Sequence, residues 1–229
     1  MIYDDFTRRV MDDYRLYLMA LTGRYQGIVS PGIAITPNVV KEFRRDAQKF
    51  TNTFMNTLAD KVDKYADALA YGSATDKMDN DKAALLLGIS AASQENVAQV
   101  TKLLRVGALN LKQVLKDLHG TFGLLWQKQL GIVDFKIYDT ANRKWGAEKL
   151  VKLVVHYFAY NMWIDSQLTE FQKKGYKLAI VVYDDQEARD EEVIFSISEK
   201  VEGYPTLGQI RASVFHPNAT AKVMPYVHS

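Results

Sequence analysis

The chain has 229 residues, of which 48% are hydrophobic and 24% are charged, a composition typical of a globular protein with a sizeable core. Its net charge of +2 is too small for a dedicated nucleic-acid-binding protein. The sequence contains no cysteine, which excludes disulfides, thiolate-ligated zinc and thiol nucleophiles. No apolar run approaches the about 18 residues of a membrane span, and the charged start of the chain predicts no signal peptide.

The first 130 residues predict helices almost throughout, because apolar residues recur three or four positions apart. Thr36 and Pro37 predict the N-cap and first turn of the second of these helices, after a loop over residues 25–35. A polar loop is expected at 75–82, and a break near Gly88. The four helices are expected at about 4–22, 36–71, 83–106 and 108–129.

From residue 131 the pattern changes to alternating strands and helices, which predicts an α+β fold and a domain boundary between residues 130 and 131. A long helix is expected from Ala147 to Lys174, closed by Gly175 as a C-cap. A short helical segment is expected at 209–212. Strands are expected at 132–138, 178–183 and 193–197.

An acidic segment joins the last two of these predicted strands. Carboxylates of this density could bind a hard cation, but the glycine and ligand spacing of a calcium loop are missing, so a solvated hairpin loop is favoured. The acidic residues are Asp184, Asp185, Glu187, Asp190, Glu191 and Glu192.

Two histidines and an aromatic stripe offer chemistry, but the structural interpretation is favoured for each. His156 lies in an apolar helix and is expected to be buried and hydrogen-bonded. His216 precedes Pro217 and is expected in a locked turn, since proline restricts the residue before it. Tyr157, Tyr160, Trp163 and Ile164 have helical spacing and are expected to pack in the core.

Four basic residues cluster on the predicted second helix and are the candidates for contacting DNA phosphates. Glu42 and Asp46 interrupt the cluster, so a solvated helix face is the favoured interpretation. The four are Lys41, Arg44, Arg45 and Lys49.

Residues from about 132 to 227 carry several short motifs in order. Asp139 to Trp145 match a turn of the type D-x-x-G-R-x-W. A strand of the type G-x-D-L-V-x-V is matched by 175–181 and one of the type V-x-S-I-S-G by 193–198, and the motifs G-Y-P-T-L and F-H-P-N follow. In the order and spacing of these motifs, this part of the chain resembles the phage minor capsid, or head morphogenesis, protein family. The residues expected to hold these turns are Asp139, Arg143, Trp145, Gly203, Tyr204, Pro205, His216, Pro217 and Asn218.

The resemblance implies a fold similar to that of ADP-ribosyltransferases, with a split, mostly antiparallel sheet and one long helix. Many relatives carry cysteines and a histidine that look like a zinc site, where this chain has the acidic segment, Ala219 and Ala221. An arginine often found on the long helix is replaced by His156. No metal, cofactor or catalytic residue is therefore expected, and the chain is expected not to be an enzyme.

The resemblance implies a structural minor component of a tailed-phage head, made in the host cytoplasm and located in the virion. It would act in head assembly at the capsid interior or portal, or leave with the DNA. The expected partners are the portal and the major capsid protein, with phage DNA and a second copy of the chain as further candidates. Two alternatives remain open: an ADP-ribosyltransferase-like enzyme or toxin, and a DNA-contacting packaging factor.

Overall fold

The computed structural model describes residues 2–29, 35–69, 76–117, 135–138, 143–183, 192–217 and 219–227. Within these residues the chain forms five helices and two small antiparallel sheets, with the sheets in the C-terminal part, as the sequence predicted. The predicted boundary at 130/131 lies outside the described residues and stays a prediction.

Helix α1 (Ile2–Val29) is longer than predicted and continues through residues 25–29, which were expected to form a loop. Its buried face carries Tyr14, Leu21, Tyr25 and Ile28, so the helical spacing of apolar residues extends beyond the predicted end. Residues 30–34 of the predicted loop lie outside the described residues.

Helix α2 (Pro37–Ala68) begins where the sequence predicted. The backbone N–H of Val39 donates to Thr36 Oγ1 at 3.3 Å, and that of Val40 donates to the Thr36 carbonyl at 3.2 Å. Thr36 therefore satisfies donors that have no partner within the helix, and Pro37 loses none by lacking an N–H.

Helix α3 (Asp76–Asp117) corrects three predictions. Residues 76–82 are helical, not a loop, and the helix passes through Gly88 without a break. The predicted separation of two helices near residue 107 is also wrong, while residues 118–129 lie outside the described residues. The loop was predicted from the polar side chains at 76–82. A helix whose first turns face solvent tolerates such side chains as readily as a loop does.

Strands β1 (Lys136–Tyr138) and β2 (Lys144–Gly146) pair in an antiparallel hairpin. The side chain of Gln99 on α3 bonds both backbone groups of Lys136, with the Lys136 N–H donating to Gln99 Oε1 at 3.1 Å. The sequence did not predict β2, and residues 132–134 of the predicted strand lie outside the described residues.

Helix α4 (Ala147–Lys173) matches the predicted long helix, and Gly175 ends it with φ +86°. The N–H of Gly175 donates to the Gln172 carbonyl at 2.9 Å and that of Tyr176 to the Phe171 carbonyl at 3.0 Å. The rings of Phe171 and Tyr176 are 6.4 Å apart. This is a Schellman motif with its usual hydrophobic contact.

The second sheet consists of strands β3 (Leu178–Val182), β4 (Ile194–Ser196) and β5 (Lys222–Tyr226) in the order β4-β3-β5, all antiparallel. Strands β3 and β4 were predicted, whereas β5 was not. Helix α5 (Leu207–Val214) extends the predicted short helical segment.

The contacts divide the chain into two compact units, and α1 to α4 each contribute residues to both. Unit 1 comprises the described residues of Met1–Arg8, Val62–Lys82 and Leu153–Ser229; unit 2 comprises those of Arg9–Lys61 and Ala83–Lys152. The core of unit 1 includes Tyr160, Ile164, Phe195 and Phe215, each fully buried.

The core of unit 2 contains a polar layer among its apolar side chains. Asn96 donates to the Tyr14 hydroxyl at 2.7 Å, and the Tyr17 hydroxyl donates to the Ser93 carbonyl at 2.8 Å. These bonds join α3 to α1 and fix the rotation of the helices about their axes, since a shift would leave buried polar groups unpaired.

Candidate interaction surface

The segment 203–207 lies along the outer edge of β4 in unit 1. Ser196 donates its N–H to the Pro205 carbonyl at 2.8 Å, and its hydroxyl accepts the N–H of Val201 at 3.1 Å. Gly203 turns the chain with φ +84°, a conformation that glycine adopts without steric cost. The Gly-Tyr-Pro-Thr-Leu segment thus covers a strand edge.

The same segment starts α5. Gln209 Oε1 accepts the N–H of Thr206 at 2.7 Å and its hydroxyl at 3.1 Å, a capping arrangement at the helix N-terminus. After α5, Phe215 is fully buried and its ring lies 6.2 Å from that of Phe195. The His216 carbonyl accepts the N–H of Ala219 at 2.9 Å, which closes a turn ahead of β5.

The structure places the motif residues in both units. Gly203, Tyr204, Pro205, His216 and Pro217 belong to unit 1. In unit 2, the guanidinium of Arg143 lies 5.8 Å and the ammonium of Lys149 lies 5.6 Å from the centre of the Trp145 ring. These are cation–π contacts that fasten the hairpin to the start of α4. Asp139 and Asn218 lie outside the described residues.

A charged cluster in unit 1 was not predicted from the sequence. Asp165 of α4 is 8% exposed and accepts hydrogen bonds from Arg211 of α5 and from Lys77 of α3, the latter at 2.6 Å. Arg211 also donates to Asn161 at 2.9 Å. An acidic residue within the apolar run of α4 was the signal available in the sequence, since buried carboxylates are paired.

His156 lies within an aromatic group of unit 1. Its ring is edge-on to Tyr3 at 5.5 Å and parallel to Tyr160 at 6.2 Å, and its Nδ1 is 4.0 Å from the Asp4 carboxylate. Its side chain is 24% exposed, so the expected burial is wrong and the residue is only partly buried. Tyr160 and Ile164 are buried as expected of the aromatic stripe, whereas Tyr157 and Trp163 are half-buried.

The four basic residues of α2 are all exposed, in agreement with a solvated helix face. Arg45 approaches Asp46 at 3.8 Å, and Asp46 also accepts from Arg24 at 2.9 Å. Within the described part of the chain, no ion pair joins Lys41, Arg44 or Lys49 to an acidic residue. This end of α2 therefore presents positive charge to solvent.

An open groove of about 270 Å³ lies between α1 and α2 in unit 2. Leu16, Tyr17 and Ala20 line one wall, and Phe50, Thr53 and Thr57 line the other. Leu16 is 63% exposed, although the helical spacing had placed it among the apolar positions of the first helix. This surface was not predicted from the sequence. A helix with more apolar positions than its buried face needs leaves some of them in solvent, and the spacing alone does not show which ones.

The acidic segment at 184–191 lies outside the described residues, and Glu192 is exposed. Across the described ranges there is no cluster of three acidic or histidine side chains that could hold a metal ion. No helix in those ranges is both long enough and apolar enough to cross a membrane.

Comparison with protein families, with curated proteins and with solved structures gave no match to this chain.

Proposed function

We propose that the protein is a structural minor component of a tailed-phage head that acts in head assembly at the capsid interior or portal. The proposal rests on the resemblance of residues 132–227 to minor capsid proteins. The observation that supports it most directly is the bond from the Ser196 N–H to the Pro205 carbonyl. Through it the Gly-Tyr-Pro-Thr-Leu segment closes a sheet edge and starts a helix, which is a structural role.

In this proposal the helices make the contacts with partner proteins. The groove between α1 and α2 leaves apolar side chains in solvent, and an exposed apolar surface of this kind is typical of a contact with another protein. The partners we propose are the portal and the major capsid protein of the same phage. A protein bound at the portal could also leave the capsid with the DNA.

Size exclusion with light scattering tests this proposal on the protein alone, with the portal, and with the major capsid protein. A complex of defined mass with either partner is expected, and the portal of an unrelated phage serves as the control. Mass spectrometry of purified virions should find the protein in the particle. If neither partner binds and virions lack the protein, the proposal is wrong.

A role in contacting DNA is the second candidate, because four exposed basic side chains lie within nine residues of α2. Fluorescence anisotropy with a DNA duplex over a range of salt concentrations tests it. Binding that falls steeply with salt, and a shallower slope for Lys41→Glu with Arg44→Glu, are expected. Lys200→Glu changes another exposed lysine and serves as the control. Binding without salt dependence contradicts this role.

The enzyme alternative rests on the implied similarity of fold to ADP-ribosyltransferases. Titration calorimetry with NAD tests it directly, and absence of heat at high protein concentration would exclude it.

A further inference from the structure

The groove between α1 and α2 has the shape of a binding site for a single helix. Its two walls are parallel rows of side chains one turn apart, Leu16 and Ala20 on α1 and Phe50, Thr53 and Thr57 on α2. Gly23 continues the α1 row by one turn, is exposed, and has open space where a Cβ would be. Small residues on one wall let a helix backbone approach closely.

Positive charge marks one end of this groove. Arg45, Lys49 and Thr53 are spaced four residues apart on α2, so the two cations lie on the same face as Thr53, one and two turns before that residue. Asp46 is shared between Arg24 and Arg45 and cannot neutralise both. Lys49 has no ion pair within the described residues.

The other end of the groove is compensated. Asp13 lies 2.5 Å from the Lys61 ammonium, and Arg15 is shared between Asp12 at 3.3 Å and Glu148 at 3.0 Å. The groove is thus mainly apolar, is electropositive at the Arg45 end, and has its basic residues matched by carboxylates at the Asp13 end.

We propose that this groove binds one amphipathic helix of a partner protein, with an apolar stripe against Leu16 and Phe50 and acidic residues at the end that meets Arg45 and Lys49. A helix laid in a groove with anchors at i, i+3, i+4 and i+7 is an established mode of recognition. The inference concerns the chemistry of recognition and does not depend on the assignment to a phage head.

A second copy of the chain fits this surface less well than a partner helix does. Two concave grooves cannot fill each other, and the carboxylates at the Asp13 end of a second copy's groove already contact Lys61 and Arg15. A partner helix with acidic residues at one end complements the charge at the Arg45 end without this competition.

A set of fluorescein-labelled peptides of about 18 residues, long enough to form a helix, tests the proposal by anisotropy. Each peptide carries the same leucine and methionine stripe, and the set differs only in three residues at one end, which are Glu, Gln or Lys. The Glu peptides are expected to bind the full chain most tightly and the Lys peptides most weakly, with a difference that shrinks as salt is added.

Variants of the full chain locate the binding. Leu16→Asp is expected to abolish it, whereas Leu87→Asp, at a leucine that is 74% exposed on α3, should leave it unchanged. Lys49→Glu should weaken the binding of the Glu peptides by about two- to fivefold and strengthen the binding of the Lys peptides. Lys102→Glu is the matched control on α3. Circular dichroism of each variant checks that it is folded, which is expected because all four side chains are exposed.

Three results would overturn the proposal: no peptide of the set binds the folded chain, Leu16→Asp binds as well as the native chain, or binding does not depend on the end charge. Sedimentation velocity of the chain alone tests whether it self-associates through the groove. Self-association that Leu16→Asp abolishes would assign the groove to a second copy instead. Binding to the portal is measured separately, so failure of the groove proposal leaves the head-component proposal standing.

Discussion

Asp165 shows how one residue joins three helices of unit 1. Its carboxylate is buried and accepts from both Arg211 and Lys77, while the hydroxyl of the neighbouring Ser166 donates to the Leu69 carbonyl at 3.0 Å. The start of α3, the middle of α4 and the whole of α5 are thereby tied at one point. A buried ion pair adds little net stability over an apolar pair, but removing one partner is costly because the other charge stays buried.

Asp165→Asn is therefore expected to lower the free energy of unfolding by about 3 kcal/mol, since it leaves Arg211 without a counter-charge. Urea unfolding followed by circular dichroism measures the change. Asp63→Asn is the control: its carboxylate is 60% exposed and pairs with Lys82 at 2.6 Å, so a loss below about 1 kcal/mol is expected. Equal losses in the two variants would show that Asp165 is not a buried anchor.

Substitutions of two glycines are expected to change the stability in opposite directions. Gly175→Ala is expected to cost about 1 kcal/mol, because its φ of +86° disfavours any side chain although the space around it is open. Gly88→Ala is expected to stabilise by up to about 1 kcal/mol, because Gly88 lies in regular helix with open space at its Cβ. Thermal unfolding of both variants measures the direction of each change in stability. A higher stability of Gly175→Ala would contradict the Schellman assignment.

At the scale of elements, the sequence predicted the helices and strands whose local signals agree with their surroundings. The Thr36-Pro37 cap, the apolar spacing of α4 and the Gly175 stop depend on neighbours in sequence, and all three are confirmed. Strand β5 was missed because Pro225 interrupts its pattern and because it depends on β3, whose paired residues lie 40 to 48 positions away in the chain.

The candidate surface was harder to predict than the fold. An amphipathic pattern indicates that a helix has a buried face, but it does not identify which apolar residues a neighbouring helix fails to cover. Leu16 and Leu21 look alike in the sequence, yet one is 63% exposed and the other fully buried. The Asp165–Arg211 pair likewise joins residues 46 positions apart, and no local rule connects them.

The position of Pro225 in β5 has a consequence for association. Val181 donates its N–H to the Val193 carbonyl beside β4, so Ile180 points its backbone groups toward β5, where it is paired with Met224. The next residue, Pro225, therefore faces away from β3, and its missing N–H lies on the outer edge of the described sheet. Proline at this position prevents another strand from pairing along the edge.

Pro225→Val is expected to promote association through this edge while changing the free energy of unfolding by less than about 1 kcal/mol, because no bond to β3 is affected. Light scattering during incubation at high concentration measures the effect. Met224→Val, which keeps the proline and alters the exposed neighbouring side chain, is the control. Association in the control but not in Pro225→Val would show that the exposed side chains, and not the strand edge, cause the association.

At the scale of the whole molecule, both units bury tyrosines whose ionisation opposes folding. Burial raises the pKa of Tyr14, Tyr17 and Tyr25 in unit 2 and of Tyr65 and Tyr160 in unit 1 above the ordinary value of 10.0. Above that pH the unfolded chain releases protons that the folded chain retains. Each such tyrosine then lowers the stability by about 1.4 kcal/mol for every pH unit up to its folded pKa.

The free energy of unfolding is therefore expected to stay independent of these groups below pH 10.0 and to fall steeply above it. Tyr25 separates this effect from hydrogen bonding, since its buried hydroxyl has no partner within the described residues, whereas the Tyr65 hydroxyl donates to the Ala159 carbonyl at 2.8 Å. Tyr25→Phe should stabilise the protein by about 1 kcal/mol at neutral pH and reduce the alkaline slope. Tyr65→Phe should reduce the slope as well but cost about 1 kcal/mol at neutral pH. Urea unfolding at neutral and alkaline pH, with absorbance at the tyrosinate band, measures both quantities. A native chain whose tyrosines all ionise near pH 10.0 while it remains folded would show that their hydroxyls reach water and that this account of the two cores is wrong.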